Sequence, residues 1–96
     1  MLKHIVLFRL KDECTDAERQ ELVAGLWSLA DDVPEIRDLA VGPAVNKTGW
    51  DLALLATFDD VAAYGRYGPS EPHQRVVTSL VRPLVAELAT AQLEVP

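Results

Sequence analysis

Apolar and polar residues alternate in some stretches of this chain and recur at helical spacing in others. From Lys3 to Leu10 the alternation describes a strand with His4, Val6, Phe8 and Leu10 on one face and Lys3, Ile5, Leu7 and Arg9 on the other. Thr15-Asp16-Ala17-Glu18 has the pattern of a capping box. Leu22, Val23, Leu26, Leu29 and Ala30 then repeat at helical spacing to about Ala30, with Pro34 beyond the end. A second strand is predicted over Ile36 to Val41, ended by Gly42-Pro43, with a loop over Asn46 to Gly49. The third strand, Trp50 to Phe58, carries Trp50, Leu52, Leu54, Ala56 and Phe58 on one face and Asp51, Ala53, Leu55 and Thr57 on the other. Asp59 or Asp60 caps a short helix through Tyr64, and Gly68-Pro69 makes a turn. Ser70-Glu71-Pro72 opens a longer helix, with Ser70 as cap and proline in the first turn. Its stripe is Val77, Leu80, Val81, Leu84, Val85 and Leu88, and Pro83 inside that stripe predicts a kink or an early stop. Ala89 to Val95 completes the set as a fourth strand.

The order βαββαβ, with one extra short helix, defines an α+β fold of ferredoxin-like type: a four-stranded antiparallel sheet with helices on one face. One domain spans residues 1–96. Helices on one side leave the other side of the sheet bare. Yet Ile5 and Leu7 are apolar as well as Val6 and Phe8, and Ala53 and Leu55 as well as Leu52 and Leu54. A sheet apolar on both faces needs a second cover. The simplest is another copy of the chain, which gives a homodimer through the sheet face, a dimeric α+β barrel. The alternative is that Ala53 and Leu55 are ordinary exposed apolar residues.

Composition narrows the partners. Fifteen acidic and nine basic residues give a net charge of −6, without the clustered Lys and Arg of a nucleic-acid surface. No apolar run approaches the length of a membrane span, and the N-terminal apolar stretch is too short and interrupted for a signal peptide. The single cysteine, Cys14, has no partner within the chain for a disulfide, so the default compartment is cytoplasmic. Asn46-Lys47-Thr48 matches a glycosylation sequon, read as chance without a secretion signal. No glycine-rich phosphate loop, dinucleotide fingerprint or His/Cys/carboxylate cluster at ligand spacing is present, so no cofactor and no metal are expected.

Three segments carry a family resemblance: Lys3-His4-Ile5-Val6-Leu7-Phe8, Trp50-Asp51-Leu52-Ala53-Leu54 through Phe58, and Tyr67-Gly68-Pro69-Ser70-Glu71-Pro72-His73. With Gly42 and the closing Leu93-Glu94-Val95, the chain resembles the stress-responsive α/β-barrel (Dabb) family over nearly its whole length. The resemblance implies a dimeric barrel of ferredoxin-like protomers. In one plant branch of the family, a cyclase closes a linear polyketide by aldol condensation without metal or organic cofactor. A tyrosine and a histidine six residues apart are its catalytic pair, and Tyr67 and His73 match that spacing. The match is incomplete. Pro72 is adjacent to His73, the family's additional histidine before the proline is absent, and Val23 and Leu26 stand where the plant pocket has rings. Cofactor-free monooxygenases of polyketide metabolism share the barrel and form a more distant analogy.

The residues support a consistent chemistry. The partial positive charge at a helix start disfavours imidazolium, so His73 is suited to accept a proton from a carbon acid beside a carbonyl. Tyr67 is suited to hydrogen-bond the oxygen that gains charge as the enolate forms. The structural alternative is that His73 caps its helix and Tyr67 closes the loop. His4, among apolar neighbours on the first strand, needs partners for its ring nitrogens, and Glu94 on the last strand is a candidate. Trp27 is placed near a pocket mouth or in packing. Trp50 and Tyr64 read as packing, and Arg66 and Arg75 as solvated charges that could attract an anion. The expected ligand of the pocket between sheet and helices is small and apolar or aromatic, touched by His4, Glu94, Trp27, Tyr67 and His73.

Overall fold

The computed structural model describes residues 1–46 and 49–96. Lys47 and Thr48, part of the sequon and the middle of the loop expected over Asn46 to Gly49, lie outside the described residues. The elements run β1 (Leu2–Leu10), α1 (Asp16–Asp32), β2 (Asp38–Pro43), β3 (Leu52–Phe58), α2 (Val61–Tyr67), α3 (Glu71–Val76), a π-helical turn (Val77–Val81), α4 (Arg82–Leu84) and β4 (Val85–Glu94). The strands form one antiparallel sheet in the order β2-β3-β1-β4. This is the ferredoxin-like arrangement that the periodicity predicts.

Local chemistry sets the boundaries. The Thr15–Glu18 capping box starts α1: Glu18 N–H donates to the Thr15 hydroxyl at 3.2 Å, and Thr15 N–H to the Glu18 carboxylate at 3.0 Å. Of the two candidate caps for α2, Asp60 accepts from Ala63 N–H at 2.8 Å. Asp59 instead takes both arms of Arg37, at 2.7 and 3.0 Å. The capped helix runs one turn past Tyr64, so Tyr67 belongs to α2 and not to a loop. Ser70 occupies the N-cap position of α3 without capping it; its hydroxyl donates to the Tyr67 carbonyl at 2.6 Å.

Three strand limits differ from the sequence reading. β2 starts at Asp38 and includes Gly42 and Pro43, which pair with Ala53 and Leu52. Proline is tolerated there because β2 is an edge strand, where a missing N–H breaks no ladder. β3 starts at Leu52, because Asp51 N–H donates to the Phe8 carbonyl while its carboxylate accepts from Leu10 N–H. β4 starts at Val85, so Val85 and Leu88 belong to a strand and not to the helical stripe. Pro83 explains the change. It has no N–H to extend the helix, and the turn before it is π-helical, with Arg82 N–H donating to the Val77 carbonyl. Two residues after Pro83, at Val85, the chain turns extended.

Alternation sorts the sheet into two faces. Leu2, His4, Val6 and Phe8 of β1, with Leu52, Leu54, Ala56 and Phe58 of β3, are buried beneath the helices. Leu22, Leu26 and Leu29 of α1 pack over them with Val33. On the opposite face two rows cross all four strands: Ala40, Leu55, Ile5 and Ala91, then Gly42, Ala53, Leu7 and Ala89. Neither row contains a polar side chain, and no helix among the described residues covers them. Lys3 and Arg9 border the rows, bonded to Thr57 and Glu87 respectively.

Candidate functional site

A partly enclosed cavity of about 260 Å³ lies between the helical face of the sheet and the helices. The sheet supplies His4, Val6, Phe8 and Leu54, and α1 supplies Leu26 and Leu29. Tyr64, Tyr67 and Gly68 line it from α2 and its end; His73, Val76, Val77 and Val81 line it from α3 and the π turn. Leu88 and Thr90 of β4, both exposed, mark its rim. Most of this wall is apolar. The polar exceptions converge: the Tyr67 and His73 rings lie 4.4 Å apart between centroids, His4 and Tyr67 6.1 Å, and His4 and Tyr64 4.9 Å.

The histidines are fixed by hydrogen bonds and the tyrosines by ring packing. His73 Nδ1 lies 2.8 Å from the Gly68 carbonyl. A carbonyl only accepts, so Nδ1 carries hydrogen and the neutral ring keeps its lone pair on Nε2. Gln74 donates to the same carbonyl at 2.8 Å, which fixes the acceptor in place. Tyr67 is buried, and its hydroxyl has no hydrogen-bond partner among the described residues. Burial, and secondarily Tyr64, pushes its phenol up to about 12. Near neutral pH it is therefore a proton donor in hydrogen bonds and not a base. Phe58, with its ring 5.2 Å from Tyr67 and 5.6 Å from Tyr64, backs both tyrosines.

His4 follows a different rule. Burial, and secondarily the neighbouring His73, holds its imidazole below the ordinary 6.5. The unfolded chain then binds a proton at higher pH than the native chain does. This contribution to stability is present above about pH 6.5 and is lost as pH falls from there through the lowered native value. The melting temperature should therefore drop between pH 7.5 and 5.5, and His4→Gln should flatten that dependence at equal protein concentration. Equal pH slopes for the two proteins would contradict the assignment.

Not every residue expected at the site is there. Tyr67, His73 and His4 share the cavity; Trp27 and Glu94 do not line it. Trp27 is 44% exposed and lines a groove beside α1 with Arg19, Val23 and Pro43. It directly follows the buried Leu26, and one residue turns a helix by about 100°. Glu94 is exposed and pairs across the sheet with Leu2; the residue opposite His4 is Gln92, whose side-chain amide lies 2.9 Å from His4 Nδ1. Gln92 thus takes the place expected for Glu94. Arg66 and Arg75 pair with Glu35 and Glu71 and stay outside the cavity. The sequence reading also missed Tyr64, although Tyr64 and Tyr67 stand one helical turn apart, a spacing that places both on one face.

This architecture, a ferredoxin-like α+β domain with an apolar, two-histidine cavity under its helices, defines a class of small pocket-bearing domains. The chain belongs to the stress responsive A/B barrel domain (Dabb) family, whose model matches residues 2–95. A dimeric ferredoxin-like protein of unknown function from Thermobifida fusca superposes with a TM-score of 0.87 at 23% identity, covering 98% of this chain and 90% of that one. Another such dimeric protein of unknown function, from Jannaschia sp. CCS1, is 27% identical, with 98% of each chain covered and a TM-score of 0.81. Hydroxynitrile lyase from Passiflora edulis has the same fold, with a TM-score of 0.88 at 19% identity over 99% of this chain and 93% of that one. No curated protein matches the chain in sequence.

Proposed function

We propose that the protein is a homodimer, joined through the bare face of its sheet, in which each copy binds a small, mostly apolar or aromatic molecule in its own cavity. The observation that carries this reading is the cavity itself: an apolar wall with two histidines and a tyrosine converging on one region, the usual composition of a small-molecule site. A dry cavity of roughly 150 Å³ holds benzene, so about 260 Å³ suits one aromatic ring with a short polar substituent. The two uncovered apolar rows support the dimer, as does the dimeric description of the Thermobifida fusca and Jannaschia proteins. Acetophenone is a suitable probe. Saturation-transfer NMR should detect its binding, and Val77→Phe, which fills the cavity from the π turn, should weaken it at least tenfold. Binding unaffected by Val77→Phe would place the probe elsewhere and sink the reading.

A second reading has a specific observation in its favour. The Gly68 carbonyl fixes His73 Nδ1–H and leaves Nε2 free to take a proton, while the Tyr67 hydroxyl is free to donate to oxygen. This pair suits cofactor-free proton transfer from a carbon beside a carbonyl, the elementary step of an aldol-type cyclase. The C–H electron pair moves into the enolate, the proton goes to Nε2, and Tyr67 holds the enolate oxygen. The hydroxynitrile lyase sharing this fold adds an enzyme to the structural neighbours. Hydrogen–deuterium exchange of the acetophenone methyl group in D₂O tests it directly. The protein should accelerate exchange, and His73→Ala should lower the rate about a hundredfold, the scale of lost general-base help. Binding retained with exchange no faster than in buffer leaves a binding protein and removes the catalytic reading.

A further inference from the structure

The two histidines of the cavity are held in opposite ways. His73 Nδ1 faces a carbonyl, so the ring nitrogen it leaves free is an acceptor. His4 Nδ1 faces the Nε2 amide nitrogen of Gln92 at 2.9 Å. With the amide turned this way it donates and Nδ1 accepts, which places the proton of the neutral ring on Nε2. His4 therefore offers an N–H where His73 offers a lone pair. Neither Nε2 has a hydrogen-bond partner among the described residues. Both histidines line the cavity, and no buried side-chain nitrogen or oxygen among those residues is left both sealed and unpaired. The two free nitrogens thus keep open surface for a ligand to meet.

We infer that Gln92 is a positioning residue that sets the tautomer of His4, so that the cavity selects a ligand with an acceptor oxygen for His4 Nε2–H beside an acidic C–H or O–H for His73 Nε2. Carbonyl compounds with an enolisable carbon, and hydroxy-carbonyl compounds, are the matching class. The fold makes the arrangement local. His4 and Gln92 are direct partners across the β1–β4 ladder, so their side chains rise from the same face next to each other. A carboxylate at the same position would accept from Nδ1, move the proton there and leave two acceptors facing the ligand. The neutral amide prevents that, and burial of His4 keeps the ring uncharged beside His73. This inference rests on the pocket reading above and adds the polarity of what the pocket takes.

The test uses the full-length protein with ¹⁵N-labelled histidine and two probes of one size, acetophenone and ethylbenzene, which lacks the oxygen. In the wild type, ¹H–¹⁵N long-range correlation spectra should show His4 protonated on Nε2, and acetophenone should bind more tightly than ethylbenzene. Gln92→Glu should move the His4 proton to Nδ1 and weaken acetophenone about tenfold, with ethylbenzene unchanged. Gln92→Leu should release the tautomer preference without the reversal. A purely structural role for Gln92 would weaken both probes together and leave the tautomer alone. His4 protonated on Nδ1 in the wild type, or an unchanged preference between probes in Gln92→Glu, overturns the inference. Failure of both probes to bind the wild type would instead strike the pocket reading, while the tautomer spectra still decide the role of Gln92.

Discussion

Leu55→Asp should convert the protein from a species of twice the 10.6 kDa chain mass to a folded monomer, measured by light scattering at micromolar concentration. Leu55 stands in the row Ala40, Leu55, Ile5 and Ala91 on the bare face of the sheet, beside Leu7 and Ala53 in the next row. In the single chain it is 41% exposed, so a carboxylate there can reach water and the protomer keeps its fold. In a dimer through this face, each copy would carry an unpaired charge into an apolar contact, at a cost of several kcal/mol per ion. Two such costs exceed what a modest interface supplies above the entropy of association. Val61→Asp is the matched control: Val61 is 52% exposed, but it lies on α2, on the opposite side of the sheet. It should leave the mass unchanged. A dimer that survives Leu55→Asp, or a wild type that is already monomeric, would remove the face-to-face assembly and leave the two rows unexplained.

The two rows were legible in the sequence because side chains alternate between the faces of β1 and β3 and both resulting sets are largely apolar, so the pattern names an outer row as well as an inner one. The same alternation put His4 on the helical side. Where the pattern failed, the fold withholds the signal. Val77, Leu80, Val81, Leu84, Val85 and Leu88 continue a helical period past the true end of the helix, because Val85 and Leu88 belong to an edge strand that happens to start in phase. That strand is exposed over most of its length, so it lacks the contrast of inside and outside that would betray it. Its register against β1 includes an irregularity at Arg9 and Leu10. Only that register decides whether Gln92 or Glu94 meets His4, and a shift of one pair is invisible to composition or spacing. Tyr67 and His73 could be named without the structure because their six-residue spacing matches the catalytic pair of the family the chain resembles; the structure brings their ring centroids to 4.4 Å. The bond from His73 to the Gly68 carbonyl, which decides the ring's free nitrogen, could not.

Phe58→Ala tests whether the site and the core are one structure. Phe58 is 0% exposed, pairs with Leu2 across the sheet, and lies 5.2 Å from Tyr67 and 5.6 Å from Tyr64 between ring centroids. It is the last residue of β3, and after Asp59 the Asp60 cap starts α2, so its ring anchors the helix that delivers both tyrosines. Truncation removes the buried ring and leaves a cavity, a loss of about 3–5 kcal/mol. Domains of this size hold roughly 5–15 kcal/mol in total, so the melting temperature should fall by more than about 10 °C at a fixed protein concentration. Val45→Ala, at a side chain that is 100% exposed, should shift it by about 2 °C or less. Acetophenone binding should weaken in Phe58→Ala even at temperatures where the variant is folded, because Tyr64 and Tyr67 lose the surface they lean on. A variant that melts with the wild type would mean that α2 is held by its cap and its own turns. One that melts early yet binds normally would separate the core from the cavity wall.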